Sequence, residues 1–408
     1  VVVQTGTFPK WLEVFARFLR LGSTSFGGPV AHLGYFRREF VERAGWLDDA
    51  AFAEIVALCS LLPGPQSSQV GISLGALRAG PLGGVLAWLG FTLPSALFMA
   101  AFGAALRSAG AGASAPAHPA LDGALAGLQG AAAAVVLVAL AGLFRTQARS
   151  TATREIAALA LLLALAAQRY APHYQWVALL AGGALGALLP QSTAAAPANP
   201  PVLRVPRAWS LAAAALLALL LTGLPFGLRG AYATEFATFF RAGSLVFGGG
   251  HVVLPFLQTL AASRHVPVRD FFAGYGAVQA MPGPLFTFAA FLGAADRSNS
   301  SSWLGAGVAT LAIFAPSFLL LAAAAPLSTL LRRFARARSI LLGLNASVVG
   351  LLAAVVIDPI GRSLLHAPVA ATFGLIALLA LVRLNAPAWL VVLGSALAGA
   401  ALRSVLHV

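Results

Sequence analysis

Residues 61–71 read LLPGPQSSQVG: two prolines around a glycine, then amides and hydroxyls, all inside an apolar run. Proline has no backbone donor and clashes with the preceding helical turn, so Pro63 and Pro65 interrupt any helix passing through. In hydrocarbon every freed N–H and C=O must find a partner, so a break placed there has to be built into the structure around it.

The solvent is decided by composition. Of 408 residues, 59% are hydrophobic and 9% charged, where soluble domains carry about 25% charged residues. The apolar blocks have membrane-spanning length, and the short alternating segments of a β-barrel are missing from the sequence. The expected class is an all-α polytopic membrane protein with about 13 hydrophobic segments. They lie near 8–42, 50–79, 82–106, 120–144, 154–170, 174–190, 207–227, 232–262, 268–296, 302–325, 338–358, 366–383 and 387–405. The formal charge of +14 suits arginines at cytoplasmic helix ends and attraction for an anionic substrate. No aromatic-flanked basic motif points to nucleic acid. A single Cys59 leaves no internal disulfide or cysteine metal cluster, and no metal or cofactor is expected. The opening VVVQTG lacks a methionine and reads as a trimmed start without a signal-peptide pattern.

The chain repeats itself. Residues 18–28, FLRLGSTSFGG, match 239–249, FFRAGSLVFGG; LLPGP at 61–65 matches AMPGP at 280–284. FTLPS at 91–95 matches IFAPS at 313–317, and GLQG at 127–130 matches GLNA at 343–346. The landmarks keep their order at offsets of 216–222 residues. The expected organisation is an N-terminal repeat over 8–190, a linker and connecting helix over 191–231, and a C-terminal repeat over 232–405. The linker contains the proline-rich PQSTAAAPANPPVLRVPR, 190–207.

Arginines orient the repeats. The loop 107–119 holds one arginine, while its counterpart 326–338 holds Arg332, Arg333, Arg336 and Arg338; conversely 144–154 holds Arg145, Arg149 and Arg154 and its counterpart only Arg362. Positive charge marks the cytoplasmic side, so equivalent loops face opposite ways and the repeats are inverted, as in many secondary transporters. The same rule makes 8–42 and 50–79 re-entrant hairpins, which keeps Arg37, Arg38, Arg43 and Arg78 on one side. The preferred count is nine full spans and four re-entrant hairpins. Thirteen ordinary spans is the alternative, kept open by Glu39, Glu42, Asp48 and Asp49 beside those arginines.

Four broken tips meeting near the midplane would turn unpaired amides toward an anion. Pro65 suits the first position of a new half-helix, and Gln66, Ser67, Ser68 and Gln69 follow in its first turn, where the dipole favours negative charge. Gly27, Gly28, Gly248, Gly249 and Gly250 allow close backbone approach. Ser23, Thr24, Ser25, Ser244 and Thr287 can donate to oxyanion oxygens. Arg20 and Arg241 are repeat equivalents just before the tips. Each is read either as a bidentate partner for a dianion or as a snorkelling arginine. His32, His251 and Glu54 are the proton-coupling candidates, against structural histidines and an interfacial carboxylate. Gln129 and Asn345 either join helices or line the path. Glu13, Asp122, Glu235 and Asp358 complete the few carboxylates in apolar sequence. No catalytic triad, paired carboxylates or phosphate-binding loop is legible.

The stretches FLRLGSTSFGGPVAHLGYFRREFV (18–41), WLDDAAFAEIVALCSLLPGPQSSQVG (46–71) and GFTLPSA (90–96) resemble the N-terminal signature of the chromate ion transporter family. VFGGGHVVLP (246–255) and MPGP (281–284) resemble its C-terminal copy. The resemblance implies the long two-domain form, an inner-membrane exporter of chromate that confers chromate resistance, with sulfate as competitor. It maps the family motifs onto Gly27, Gly28, Pro63, Gly64, Pro65, Gly248, Gly249, Pro282, Gly283 and Pro284. Inward transport of sulfate or another oxyanion is the alternative, and a membrane enzyme on a phosphorylated lipid a remote one. The expected partners are the oxyanion, the lipid bilayer and, by analogy with inverted-repeat exchangers, a second copy of the chain.

Overall fold

The computed structural model describes residues 9–109, 119–170, 175–189, 205–227, 230–247, 253–263, 266–324 and 335–406. Among these there is no strand, and the protein is an all-α polytopic membrane protein. The N-terminal repeat comprises α1 (Lys10–Thr24), α2 (Gly28–Phe36) continued by a π-helical turn (Arg37–Arg43), α3 (Asp49–Leu61) and α4 (Gln66–Ala109), then α5 (Pro119–Gln147), α6 (Thr151–Tyr170) and α7 (Trp176–Ala187). After α8 (Arg207–Gly227), the C-terminal repeat comprises α9 (Ala231–Leu245), α10 (Val253–Ser263), α11 (Val268–Gln279), α12 (Phe288–Ala295) and α13 (Ser302–Ala324). It closes with α14 (Ala335–Val355), the short α15 (Arg362–Leu365), α16 (Pro368–Arg383) and α17 (Ala388–Leu406).

The long α4 is two helices folded back on each other. Ala79 and Gly80 leave helical geometry, Gly80 at φ +68°, and a Cβ at Gly75 would lie 2.3 Å from the Gly83 carbonyl oxygen. In one straight helix those residues would be about 12 Å apart. The repeat does the same with Gly293 and Gly305, where a Cβ on Gly293 would meet the Gly305 oxygen at 2.4 Å. Small residues let two backbones touch where lipid offers no hydrophobic driving force between helices.

Ion pairs show where the hairpins begin and end. Glu13, near the start of α1, pairs with Arg78 at the α4 turn at 2.8 Å. Buried Glu39, past α2, accepts from Arg17 at 2.6 Å and from Arg20 at 2.5 Å, both on α1, with Arg43 at 3.6 Å. Arg37 pairs with Asp49 at the start of α3, 2.7 Å away, and with Glu42. Residues 10–43 and 49–78 therefore both leave from and return to one face, as re-entrant hairpins do. The second leg of α4 then runs about 40 Å to Arg107, which donates to the carbonyls of Asp296 and Asn299 at 2.9 and 2.8 Å. Asn299 donates to Glu235 of α9 at 2.9 Å, and the Ser301 amide donates to the Tyr232 hydroxyl. The start of α9 and the turn between α12 and α13 thus lie together at the far end of the second leg of α4.

The remaining helices are exchanged between repeats. Gly123 and Gly127 of α5 lie so close to α17 that a Cβ would sit 2.0 Å from the oxygens of Gly399 and Ser395, and Gly130 packs equally tightly on Ala370 of α16. Its counterpart α14 uses Gly343 against Gly182 and Gly186 of α7, and Gly350 against Ala157 of α6. Gln129, on this seam, donates to Ser363 at 2.7 Å and so joins helices. Among the described residues six helices are long and apolar enough to cross a membrane. Trp176–Ala187, Arg207–Gly223 and Pro368–Arg383, within segments read as full spans from sequence, are shorter apolar helices.

Single-cysteine variants in a Cys59→Ala background test the hairpins. Lys10→Cys and Ala50→Cys should react with a membrane-impermeant maleimide from one side of the bilayer, and Ser300→Cys from the other. Labelling of positions 10 and 50 from opposite sides would show that 8–42 crosses fully.

Candidate functional site

The two proline tips are held by the opposite repeat. The Gly64 amide donates to the Val246 carbonyl at 2.6 Å, and the Gly283 amide donates to the Ser25 carbonyl at 3.0 Å. Ser25 and Val246 are repeat equivalents, each just past the end of the helix that opens its repeat. Both glycines have positive φ, +115° at Gly64 and +94° at Gly283, a conformation that costs an L-residue about 1–2 kcal/mol. The cradles match as well. A Cβ on Gly283 would meet Ser95 Oγ, the Phe91 oxygen and the Gly22 oxygen at 3.0–3.3 Å. One on Gly64 would meet Gln69 Nε2 at 2.8 Å, Ser317 Oγ at 3.1 Å and the Gly243 oxygen at 3.5 Å.

Beyond the first tip, α4 starts at Gln66 with Pro65 before it, and the Pro65 carbonyl accepts from the Gln69 amide at 3.0 Å. Among the described residues the amides of Gln66, Ser67 and Ser68 make no hydrogen bond, as expected for a first helical turn. Gln69 folds back to donate from Nε2 to the Pro63 carbonyl at 2.6 Å, satisfying an oxygen that the prolines had stranded. Ser25, Ser68, Gln69, Thr92 and Ser317 are buried, and each has a side-chain oxygen without a hydrogen-bond partner. A buried polar atom left unpaired costs about 1–3 kcal/mol. Five such atoms lie on the segments that form the two crossings. His32 lies among them with no exposed surface: one ring nitrogen is 3.1 Å from the Ser25 carbonyl and the other 3.3 Å from Ser67 Oγ.

The residues singled out from sequence fall into groups. Gly64, Pro65, Ser67, Ser68, Gly283 and Pro284 are buried at the crossings, with Pro63, Gln66 and Pro282 half-buried beside them. Gln66 donates to Ser60 at 2.6 Å. Gly27 takes the left-handed conformation that opens α2 at Gly28. Ser23 and Thr24 are exposed, and their hydroxyls donate back to the carbonyls of Leu19 and Arg20. Ser244 and Thr287 do likewise toward Phe240 and Pro284, at 2.7 and 2.8 Å. Arg20 is occupied by Glu39 at the membrane face. Arg241 is half-buried on α9. Glu54 is buried on α3, away from the tips along the chain. Gly248, Gly249, Gly250 and His251 lie outside the described residues.

Ser95, Thr92 and Ser317 were not singled out from sequence. Their signal was present: FTLPS and IFAPS were among the repeat landmarks, and a serine kept in both copies next to a helix proline is a polar group worth placing. Among the described residues no His, Cys, Asp and Glu converge on a metal-binding cluster.

Interrupted helices that cross one another, one from each half of the sequence, are a device found in transporters. The sequence profile of the Chromate transporter family matches residues 12–187 and 233–400; the chain belongs to this family. It is 30% identical over 355 residues to a chromate transport protein of Pseudomonas aeruginosa, covering 85% of this chain and 80% of that one. It is 29% identical over 399 residues to a chromate transport protein of Cupriavidus metallidurans, covering 96% and 92%. A probable chromate transport protein of Synechococcus elongatus is 27% identical over 388 residues, covering 94% and 93%. No solved structure matches.

Gly64→Ala and Gly283→Ala should each lower the stability of the purified protein by about 1–2 kcal/mol, the strain of an L-residue at positive φ. Gly142→Ala and Gly394→Ala, inside helices where a Cβ meets nothing within 4 Å, should hold or raise the thermal midpoint, since Ala is the better helix former. Scanning fluorimetry in detergent reads the difference.

Proposed function

We propose that the protein carries chromate out of the cytoplasm across the bacterial inner membrane by alternating access, and so confers chromate resistance. The observation that carries the reading is the set of unspent polar atoms at the tip crossings. Ser25, Ser68 and Ser317 have buried hydroxyls without partners, beside first-turn amides at the start of α4. A tetrahedral dianion accepts hydrogen bonds in every direction, and hydroxyls and amides aimed from several elements supply them. The α4 dipole adds a favourable field at the same end. The chromate specificity comes from the relatives, which are named for chromate transport.

In this reading, which takes 8–190 and 232–405 as the two repeats, the crossed tips stay paired while the faces open in turn. The arginines at the faces attract and release the anion rather than bind it at the midplane. Sulfate has the same shape and charge, and no side chain at the crossings distinguishes the two, so sulfate competes.

Purified protein in liposomes, loaded with chromate or sulfate with and without a pH gradient, tests the reading. Chromate flux should exceed that of empty liposomes and fall when sulfate is added. A hydrogen bond to a charged group is worth about 1.5–3 kcal/mol. Ser68→Ala and Ser317→Ala should therefore lower kcat/KM for chromate by roughly ten- to a hundredfold at equal protein. In cells the same variants should accumulate more chromate at unchanged expression. Full transport by both variants would remove the tips as the site.

A further inference from the structure

The hydrogen bonds of His32 carry more than a structural role. The ring lies between the end of α1 and the start of α4, perpendicular to the Phe91 ring at a centroid distance of 5.1 Å. Nε2 is 3.1 Å from the Ser25 carbonyl. A carbonyl only accepts, so Nε2 must carry a hydrogen in every protonation state. That fixes the neutral tautomer. Nδ1 is then an acceptor, and the Ser67 hydroxyl at 3.3 Å must spend its one hydrogen on it.

An oxyanion at the start of α4 asks for the same hydrogen. If Ser67 turns its O–H toward the anion, its oxygen faces the Nδ1 lone pair, two acceptors with nothing between them. A proton on Nδ1 resolves the conflict. The imidazolium donates to Ser67 Oγ, Ser67 donates to the anion, and a positive charge stands one hydroxyl away from a dianion. We infer that His32 and Ser67 form a relay through which binding of an oxyanion at the tips takes up one proton from solvent, so that anion and proton are bound and carried together. This rests on the oxyanion site proposed above. The proton moves from water to Nδ1 and the Ser67 hydrogen moves from Nδ1 to the anion. No covalent bond between heavier atoms changes.

The surroundings leave the relay to itself. The elements packed on the ring present Ser25 from the end of α1, Ser67 from the first leg of α4 and Phe91 from its second leg, none of them titratable in the working range. On its own element His32 is followed by Arg37, held by Asp49 and Glu42, and by Arg38, which stacks on Tyr35. Arg20, more than a turn before Ser25, is engaged with Glu39. No carboxylate among the described residues contacts the ring, so the anion itself is the charge that favours the imidazolium.

Calorimetric titration of the full-length protein with sulfate, and with chromate at pH values where it stays a dianion, tests the relay. Buffers of different ionisation enthalpy report protons taken up per anion bound. Uptake should approach one proton per anion, and affinity should weaken by up to about tenfold per pH unit on the alkaline side. His32→Gln keeps a donor for the Ser25 carbonyl and cannot titrate. It should bind anion with uptake near zero and a flat pH profile. Ser67→Ala, which leaves the histidine in place, should lose uptake and affinity together. Anion binding by the wild type without proton uptake overturns the relay and leaves the site standing, as does uptake that survives in either variant. No binding of either anion at any pH removes the site, and the relay with it.

Discussion

Two backbone hydrogen bonds hold the architecture together: Gly64 N–H to the Val246 carbonyl and Gly283 N–H to the Ser25 carbonyl. A helix broken in hydrocarbon strands polar groups, and each costs several kcal/mol if left alone. Here each repeat strands one set and satisfies the other's. Neither tip can be completed without the opposite repeat, so inversion of the repeats is a condition for breaking the helices at all. The positive φ of both glycines and the absence of a Cβ at Gly22 and Gly243, which would lie 2.6 and 2.1 Å from the Phe91 and Ile313 oxygens, follow from the need to bring four backbones to one point.

The symmetry is one of backbone and not of charge. At one face Glu13 and Glu39 gather Arg17, Arg20, Arg43 and Arg78 into a network, with Trp46 between Arg17 and Arg78 at 5.9 and 5.3 Å. At the other face the matching place is held by Glu235 and Asn299. The position equivalent to Glu39 is Leu260 in sequence, and among the described residues no carboxylate lies within ion-pair distance of Arg241, the counterpart of Arg20. Similar backbones with unequal charges leave the two faces electrostatically distinct.

Much of this was legible in the sequence because glycine and proline carry their constraint locally. PGP and FGG name a break wherever they occur, and their recurrence in order fixed the repeats. Arginine counts then argue for the inversion. The choice between hairpins and full spans stayed open in sequence because Glu39 and Asp49 seemed to argue against a shared arginine face. In the structure they are the partners of those arginines. What could not be read was who bonds whom across the repeats. That Gly64 seeks Val246 rather than an anion, that Gln69 turns back on Pro63, and that Arg20 is occupied by Glu39 are contacts between residues 6 to about 180 positions apart. Ser317 escaped notice for the same reason: its companions at the first tip lie in the other repeat.

Among the described residues the crossings contain hydroxyls, amides and His32, while the guanidinium groups of Arg20 and Arg17 are held by the carboxylate of Glu39. This division suits a carrier. A permanent cation at the midplane would hold a dianion tightly but would be a bare charge in low dielectric once the anion left, and that state is too costly to cross. Neutral donors avoid the penalty. Their unpaired oxygens cost little enough to tolerate when the site is empty, and they gain strength only when an anion polarises them. A titrating His32 extends the argument, since its charge would be present with the anion and absent without it. The pocket is then uncharged in the empty carrier and carries one net negative charge instead of two in the loaded one, so the charge that must change face is halved.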